Sequence, residues 1–249
     1  MNSIIETIMN HRSVRSFEDK QLTKEQIKTI VKSAQAASTS SFIQAYSIIG
    51  ITDKVLKEQL AELAGNQPYV LNNGHFFIFC ADLYRHKLLG KMEGKKVEES
   101  IESSEKFMVA LVDTALAAQN AAIAAESMGL GICYIGGIRN HLDEVRKLLH
   151  TPEKVVPLFG MCIGYPIRIN EQKPRLPMEH IYHENGYEQN EEDYVAQLKE
   201  YNQVISDYYK ERTNGQRKET WTGQMAHMLE KPTRMYMKEF LESVKLDLH

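Results

Sequence analysis

The sequence predicts an α+β fold, a mixed sheet flanked by helices in a single folding unit. Two observations carry this. Helical and strand-like patterns follow one another without a regular strand-helix-strand rhythm, and one long alanine-rich stretch reads as a core helix. The composition agrees: of 249 residues, 43% are hydrophobic and 25% charged, the balance of a soluble globular chain with a real core. Disordered and collagen-like classes are excluded.

Residues 3 to 9 read as a short helix, and residues 23 to 37 as a second that opens on the capping-box pattern Thr23-Lys-Glu-Gln26 and lines up Ile27, Ile30, Val31 and Ala34. Between them lies the basic bend His11-Arg-Ser-Val-Arg-Ser16. Apolar runs at Ser47 to Thr52, His75 to Ala81, Ile132 to Ile135 and Leu158 to Ile163, bounded by Gly, Asp, Asn or Pro, read as four strands. Residues 107 to 128 hold eight alanines with Val109, Leu111, Val112, Leu116 and Ile123, so a helix with core neighbours on nearly every side is expected. After residue 170 the chain turns polar and rich in tyrosine, and helices are expected at 192 to 210, 219 to 229 and 234 to 245. Residues 1–170 thus read as a core and 171–249 as an extension wrapped over it or over a partner.

Net charge is −3 and pI near 6.3, so nucleic acid is not an expected partner and any anion site must come from local cations. Cys80, Cys133 and Cys162 are odd in number and widely spaced, which argues against a disulfide framework or a metal site. The first residues lack the basic start of a signal peptide, and the two longest uncharged runs, Ser33 to Thr52 and Leu63 to Ala81, are broken by polar residues. A soluble, cytoplasmic protein with no membrane partner is expected.

Six segments could carry chemistry. His11-Arg12-Ser13-x-Arg15 packs an imidazole, two guanidiniums and a hydroxyl into five residues, a donor set for a phosphate or a planar acceptor edge, or else a solvated turn. Lys173-Pro-Arg175-Leu-Pro177 holds two cations on one side of a stiff extended stretch, as a phosphate clamp or a plain loop. Gly129-Leu-Gly-Ile-Cys-Tyr-Ile-Gly-Gly137 is no dinucleotide fingerprint, because it lacks the third glycine and runs from helix into strand. It reads as a helix stop, a strand, and a glycine pair that either admits a flat ligand or makes a structural turn. Ser38-Thr-Ser-Ser41 and Gly65-Asn-Gln-Pro-Tyr69 offer short donors and acceptors, or ordinary caps and turns. Arg212-Thr-Asn-Gly-Gln-Arg217-Lys218 is a basic turn suited to a phosphate monoester, or a mobile surface loop.

Taken in order and spacing, His11 to Phe17, Ala36 to Phe42, Ala124 to Gly131, Tyr134 to Asn140, Pro157 to Gly160 and Lys173 to Pro177 resemble the flavin-dependent nitroreductase family, most closely its NADPH-dependent group A branch of nitroreductases and flavin reductases. The resemblance covers nearly the whole chain. It implies a homodimer with FMN at the subunit interface and the extension wrapping the dimer. By the same resemblance His11, Ser13, Lys173 and Arg175 would hold the FMN phosphate, with Arg12 in the same bend. Arg15 would face the flavin pyrimidine edge, where a fixed guanidinium stabilises the charge of the reduced ring. Gln67 and Tyr69 would line the cofactor, Ser38, Thr39 and Ser40 would come from the other subunit, and the Gly136 amide would meet flavin N5 with Tyr134, Ile135 and Gly137 beside it. Thr39 stands where relatives usually carry serine and keeps the hydroxyl. Arg212 and Arg217 would read the NADPH 2'-phosphate, and Phe42 and Arg234 would line the acceptor site. No side chain is needed as nucleophile or general base, since the flavin carries the chemistry. Two functions stay open: an oxidoreductase that passes electrons from NADPH through FMN to nitroaromatics, quinones, free flavin or oxygen, and a flavin carrier or sensor with little turnover.

Overall fold

The computed structural model describes Asn2–His249. These residues form two compact units, one running up to Asn170 and including Arg234–His249, the other Glu171–Thr233. The first unit contains α1 (Ser3–Met9), α2 (Lys24–Gln35), β1 (Tyr46–Ile51), α3 (Lys54–Leu63), α4 (Pro68–Leu71), β2 (His75–Asp82), α5 (Tyr84–Met92), α6 (Glu98–Ile101), α7 (Ser104–Ser127), β3 (Gly131–Ile135), α8 (Leu142–Leu149) and β4 (Val155–Gly164). The second contains α9 (Glu191–Arg212) and α10 (Trp221–Leu229), and α11 (Met237–Ser243) belongs again to the first.

The four strands form one sheet in the order β1-β2-β4-β3, with every ladder antiparallel. The parallel pairing among the described residues is the isolated bridge Ser13 to Ile132, which ties the basic bend to β3. Strand alternation splits the core into two layers. Phe76, Ile78 and Cys80 of β2 and Cys133 and Ile135 of β3 face the layer built with Leu60 and Ala61 of α3. Phe77, Phe79 and Ile132 face Ile30 and Ala34 of α2 and the alanines 117, 118, 121, 122 and 125 of α7. All eight residues of β2 are buried, as a central strand covered on both faces requires.

The long helix departs from the sequence expectation. Its alanines lie on the sheet side, but Met108, Val112 and Leu116, spaced at i, i+4 and i+8, are 55%, 55% and 45% exposed on this chain. Composition alone hid this, because small residues fill one face and large apolar ones the other. By length and composition α7 is also apolar enough to cross a membrane, yet its alanine face is core. The helices α3, α4, α5, α6 and α8 were not anticipated. Each is short, and in α3 the signal is Asp53, whose carboxylate caps Leu56 N–H at 2.7 Å.

A buried polar cluster lies between β1, β2 and α3. His75 is 4% exposed, packs on Phe77 with ring centroids 4.3 Å apart, and its Nε2 has no hydrogen-bond partner among the described residues. Burial, with the nearby Lys57 charge, lowers its pKa from 6.5 to about 4. The fold therefore holds His75 neutral, and between pH 6.5 and 4 the unfolded chain binds the extra proton. Stability should fall as pH drops through that window, by up to about 3 kcal/mol. Urea midpoints measured from pH 7 to pH 4 should show a shallower decline for His75→Gln than for the unaltered chain, and parallel declines would contradict the assignment.

Candidate functional site

The basic bend follows directly from the end of α1. Val14 N–H donates to Ile132 O at 2.8 Å, and Ile167 N–H to Ser16 O at 3.0 Å, so the bend is stitched to β3 and to the chain leaving β4. A Cβ on Gly131 would lie 2.6 Å from Val14 Cγ2, which makes glycine necessary for this close approach. His11 Nδ1 lies 2.7 Å from Glu126 Oε1 near the end of α7, and Arg12 turns back to Asn10 O at 2.9 Å and Asn10 Oδ1 at 3.3 Å. Nδ1–H thus goes to the carboxylate, leaving His11 Nε2 and the half-buried Ser13 for any ligand.

Arg15 is exposed at the surface and lies close enough to Tyr69 for its positive charge to act on the phenol. Tyr69 in turn donates to Gln67 Oε1 at 2.5 Å, and Gln67 Nε2 donates to Ala64 O at 2.9 Å. Burial and the nearby Cys133 push the Tyr69 phenol pKa up, while Arg15 opposes them. Asn73 Nδ2 donates to Tyr69 O at 2.8 Å and Val70 O at 2.9 Å, and Lys57 Nζ donates to Asn73 Oδ1 at 3.0 Å, so the turn carrying Gln67 and Tyr69 is braced from below.

The glycine pair after β3 divides in role. A Cβ on Gly137 would fall 2.3 Å from Ala64 O, so this glycine permits backbone packing against the end of α3 rather than contact with a ligand. At Gly136 the nearest atom is Arg139 Nη2 at 3.6 Å, which leaves room. Ile135 is core, so only its main chain is available, while Tyr134 is partly exposed and edges onto Phe159 at 5.6 Å. Arg234 reaches Asn140 Oδ1 through Nε at 3.1 Å and Nη2 at 2.9 Å, and Arg139 donates to Leu158 O at 2.5 Å. Burial and the Arg234 charge lower the Arg139 pKa. Ser38, Thr39, Ser40 and Phe42 lie in the loop after α2, and Phe42 is 82% exposed.

In the second unit the predicted cations gather on tyrosines of α9. The Lys173 ammonium is 5.4 Å and the Arg217 guanidinium 4.3 Å from the Tyr209 ring centroid. Burial raises the Tyr209 pKa, but the Lys173 hydrogen bond and charge and the Arg217 charge bring it net below its ordinary value. Arg212 donates to the Tyr208 hydroxyl at 2.9 Å, Arg175 donates to Lys173 O at 2.8 Å, and Arg217 Nε meets both Glu219 oxygens at 3.1 Å.

Gln67 and Tyr69 are therefore joined directly, Gly137 packs on the same Ala64 carbonyl that Gln67 bonds, and Arg234 reaches Asn140 just beyond the glycine pair. A surface cavity of about 440 Å³ lies beside the basic bend, lined by Arg12, Val14, Glu126 and Gly131 among others. No group of metal-ligating side chains occurs among the described residues, and all three cysteines are buried. Sequence reasoning missed Glu126, Glu219, Asn73 and Asp113. For Glu126 and Asp113 a signal existed, since they are the charged residues inside the apolar 107 to 128 stretch.

Comparison with known proteins matches residues 8–165 to the nitroreductase family and residues 173–249 to the nitroreductase family C-terminal domain. A Bacillus subtilis FMN reductase (NADPH) is 57% identical over 242 residues, covering 97% of both chains. B. megaterium NfrA1 superposes with a TM-score of 0.98 at 63% identity, covering 99% of this chain and all of the other. The Vibrio harveyi NADPH:FMN oxidoreductase, solved in complex with NAD+, superposes with a TM-score of 0.89 at 37% identity over the whole of both chains. The donor set and the extension after residue 170 thus sit in a chain that belongs to the nitroreductase family.

Proposed function

We propose that the protein is a homodimeric, cytoplasmic NADPH oxidoreductase with FMN as its resident cofactor. The observation that carries this reading is the polar set Tyr69, Gln67 and Ala64 O, packed on Gly137 next to the open Gly136, with the Arg15 charge acting on Tyr69. A flavin pyrimidine edge is rich in acceptor atoms, and this set offers a guanidinium and an amide beside it. The donor chemistry fits the group. When bound, FMN supplies hydride acceptance from NADPH and electron delivery, in alternation, to a nitroaromatic, quinone, free flavin or oxygen.

The chain's own residues bind and orient. Arg15 would supply positive charge at the pyrimidine edge of a bound flavin, where donors stabilise developing negative charge. By the family resemblance, His11, Ser13, Lys173 and Arg175 would each serve the phosphate. Because Nδ1 is engaged by Glu126, Nε2 is the His11 ring nitrogen that faces the phosphate in this reading. Ser38, Thr39 and Ser40 serve the partner's cofactor, Phe42 and Arg234 the acceptor, and Arg212 and Arg217 the NADPH 2'-phosphate.

The purified protein should carry about one FMN per chain. Arg175→Ala removes one charge-assisted contact, worth about 1.5 to 3 kcal/mol, and FMN affinity measured by fluorescence quenching should fall roughly tenfold to a hundredfold. An unchanged dissociation constant would sink the phosphate assignment.

Dimerisation is supported by uncovered apolar surface. Helix α1 rests on α7 with no buried residue of its own and exposes Ile4, Ile5, Ile8 and Met9, and α7 itself exposes Met108, Val112 and Leu116. Sedimentation at micromolar concentration should give twice the 28.6 kDa chain mass. A monomer that retains its flavin would contradict this reading.

A further inference from the structure

We propose that Asp113, a residue of α7, is a positioning residue that sets how the protein presents Phe42 to its electron acceptor. The inference rests on the reading above that Phe42 lines the acceptor side. Asp113 is fully buried and forms no ion pair among the described residues. Its two oxygens are used by the two ends of one loop: Oδ1 accepts from Ser40 N–H at 2.9 Å and Oδ2 from Ala45 N–H at 3.0 Å. A carboxylate that deep is costly unless hydrogen-bonded, so carboxylate and loop conformation require each other.

Between those two anchors the backbone is forced. Ser41, Phe42 and Gln44 have φ of +47°, +60° and +53°, a left-handed conformation that none of these residues favours. Two further side chains grip the same stretch: His86 Nε2 donates to Ile43 O at 2.8 Å, and Arg85 Nη1 to Gln44 O at 3.3 Å. Strain of this kind persists only where the surroundings over-determine it, and it concentrates at ligand contacts. Its product here is an aromatic ring held outward, with Phe42 82% exposed while its neighbour Ala45 is fully buried. The clamp therefore holds Phe42 ready for a planar acceptor before that acceptor arrives, and loosening it raises the cost of acceptor binding. Because Ser40 at one end serves the partner's cofactor, the kinetics are read at saturating FMN.

The test uses the FMN-loaded protein, with Asp113→Asn, Phe42→Ala and the double variant, and reads hydrogen exchange and steady-state kinetics with a nitroaromatic acceptor. Asp113→Asn replaces one acceptor oxygen with an NH2 group, so exchange at the Ser40 or Ala45 amide should speed up at least tenfold while the amides of β2 keep their rates. The acceptor KM should rise about tenfold with kcat within twofold, and adding Asp113→Asn to Phe42→Ala should raise KM no further. Unchanged exchange at both amides, or KM effects that multiply in the double variant, would overturn the clamp. An unchanged KM in Phe42→Ala, with the exchange effect intact, would overturn the acceptor reading and this proposal with it. Should Asp113→Asn fail to fold, His86→Gln loosens the same loop and is expected to raise KM by a smaller factor of about three, and an unaltered KM there overturns the proposal.

Discussion

Replacing both Arg212 and Arg217 with alanine is expected to raise the KM for NADPH about a hundredfold and leave that for NADH nearly unchanged. NADPH and NADH differ only in a phosphate remote from the nicotinamide, so preference must come from a separate anion site. Arg212 rests on the Tyr208 hydroxyl and Arg217 on the Tyr209 ring, which places both at the end of α9. Each charge-assisted contact is worth about 1.5 to 3 kcal/mol. Because Arg217 is about half exposed, with its side chain at 46%, we take the lower end of the combined range. Binding of this sort is common to ground and transition states, so kcat should hold. Glu219 adds a test with the opposite sign. Its carboxylate occupies the Arg217 Nε–H, and its pKa is held down by backbone hydrogen bonds and by Arg217. Glu219→Gln weakens that internal competitor and should lower the NADPH KM a few-fold. Retention of full NADPH preference in the double alanine variant would mean that another segment reads the phosphate.

Lys154→Ala should cost about 3 kcal/mol of stability, the low end for a broken buried pair, because it leaves the half-buried Glu102 carboxylate without its partner. Lys154 is 1% exposed, and its ammonium bonds Glu102 Oε1 at 2.5 Å and Lys245 O at 3.1 Å. Around it, Lys154 N–H donates to Val244 O, Leu248 N–H to Glu102 O and Ser104 N–H to His249 O, so the ion pair is the centre of a clasp that holds the last residues of the chain. The clasp matters because α11 contributes Phe240 and Leu241 to the core shared with Leu83, Ile101, Leu142 and Leu158, and Tyr236 just before it donates to Arg139 O at 2.7 Å. Loss of the clasp should lower the thermal midpoint by roughly 10 °C. Replacing Glu102 with leucine and Lys154 with methionine together should recover much of that loss, since neither charge is then left alone. Equal losses in the single and double variants would contradict the ion-pair explanation.

Much of this architecture was legible in the sequence. All four strands lie within three residues of the expected bounds, because their apolar runs are closed off by Gly, Asp, Asn or Pro. The capping box at Thr23 and Gln26 forms as read, and Gly129 ends α7 with φ +75°. The unread parts share a physical cause. Whether Met108, Val112 and Leu116 point into the core or away from it depends on the phase of α7 against the sheet, which no local pattern encodes. Gly136 and Gly137 look alike in sequence, and only the approach of Ala64 O separates the packing glycine from the open one. Asp113 and Glu126 meet partners 73 and 115 residues away, so their roles exist only after folding.

The central claim, that this chain turns over NADPH through a bound flavin, is tested by anaerobic mixing of the purified yellow protein with one equivalent of NADPH while absorbance near the flavin maximum is followed. The account predicts rapid bleaching, slower with NADH, and return of the colour when a quinone or nitroaromatic is added. A protein that binds FMN stoichiometrically, yet whose colour NADPH leaves unchanged over minutes, would be a carrier or sensor and would contradict the account.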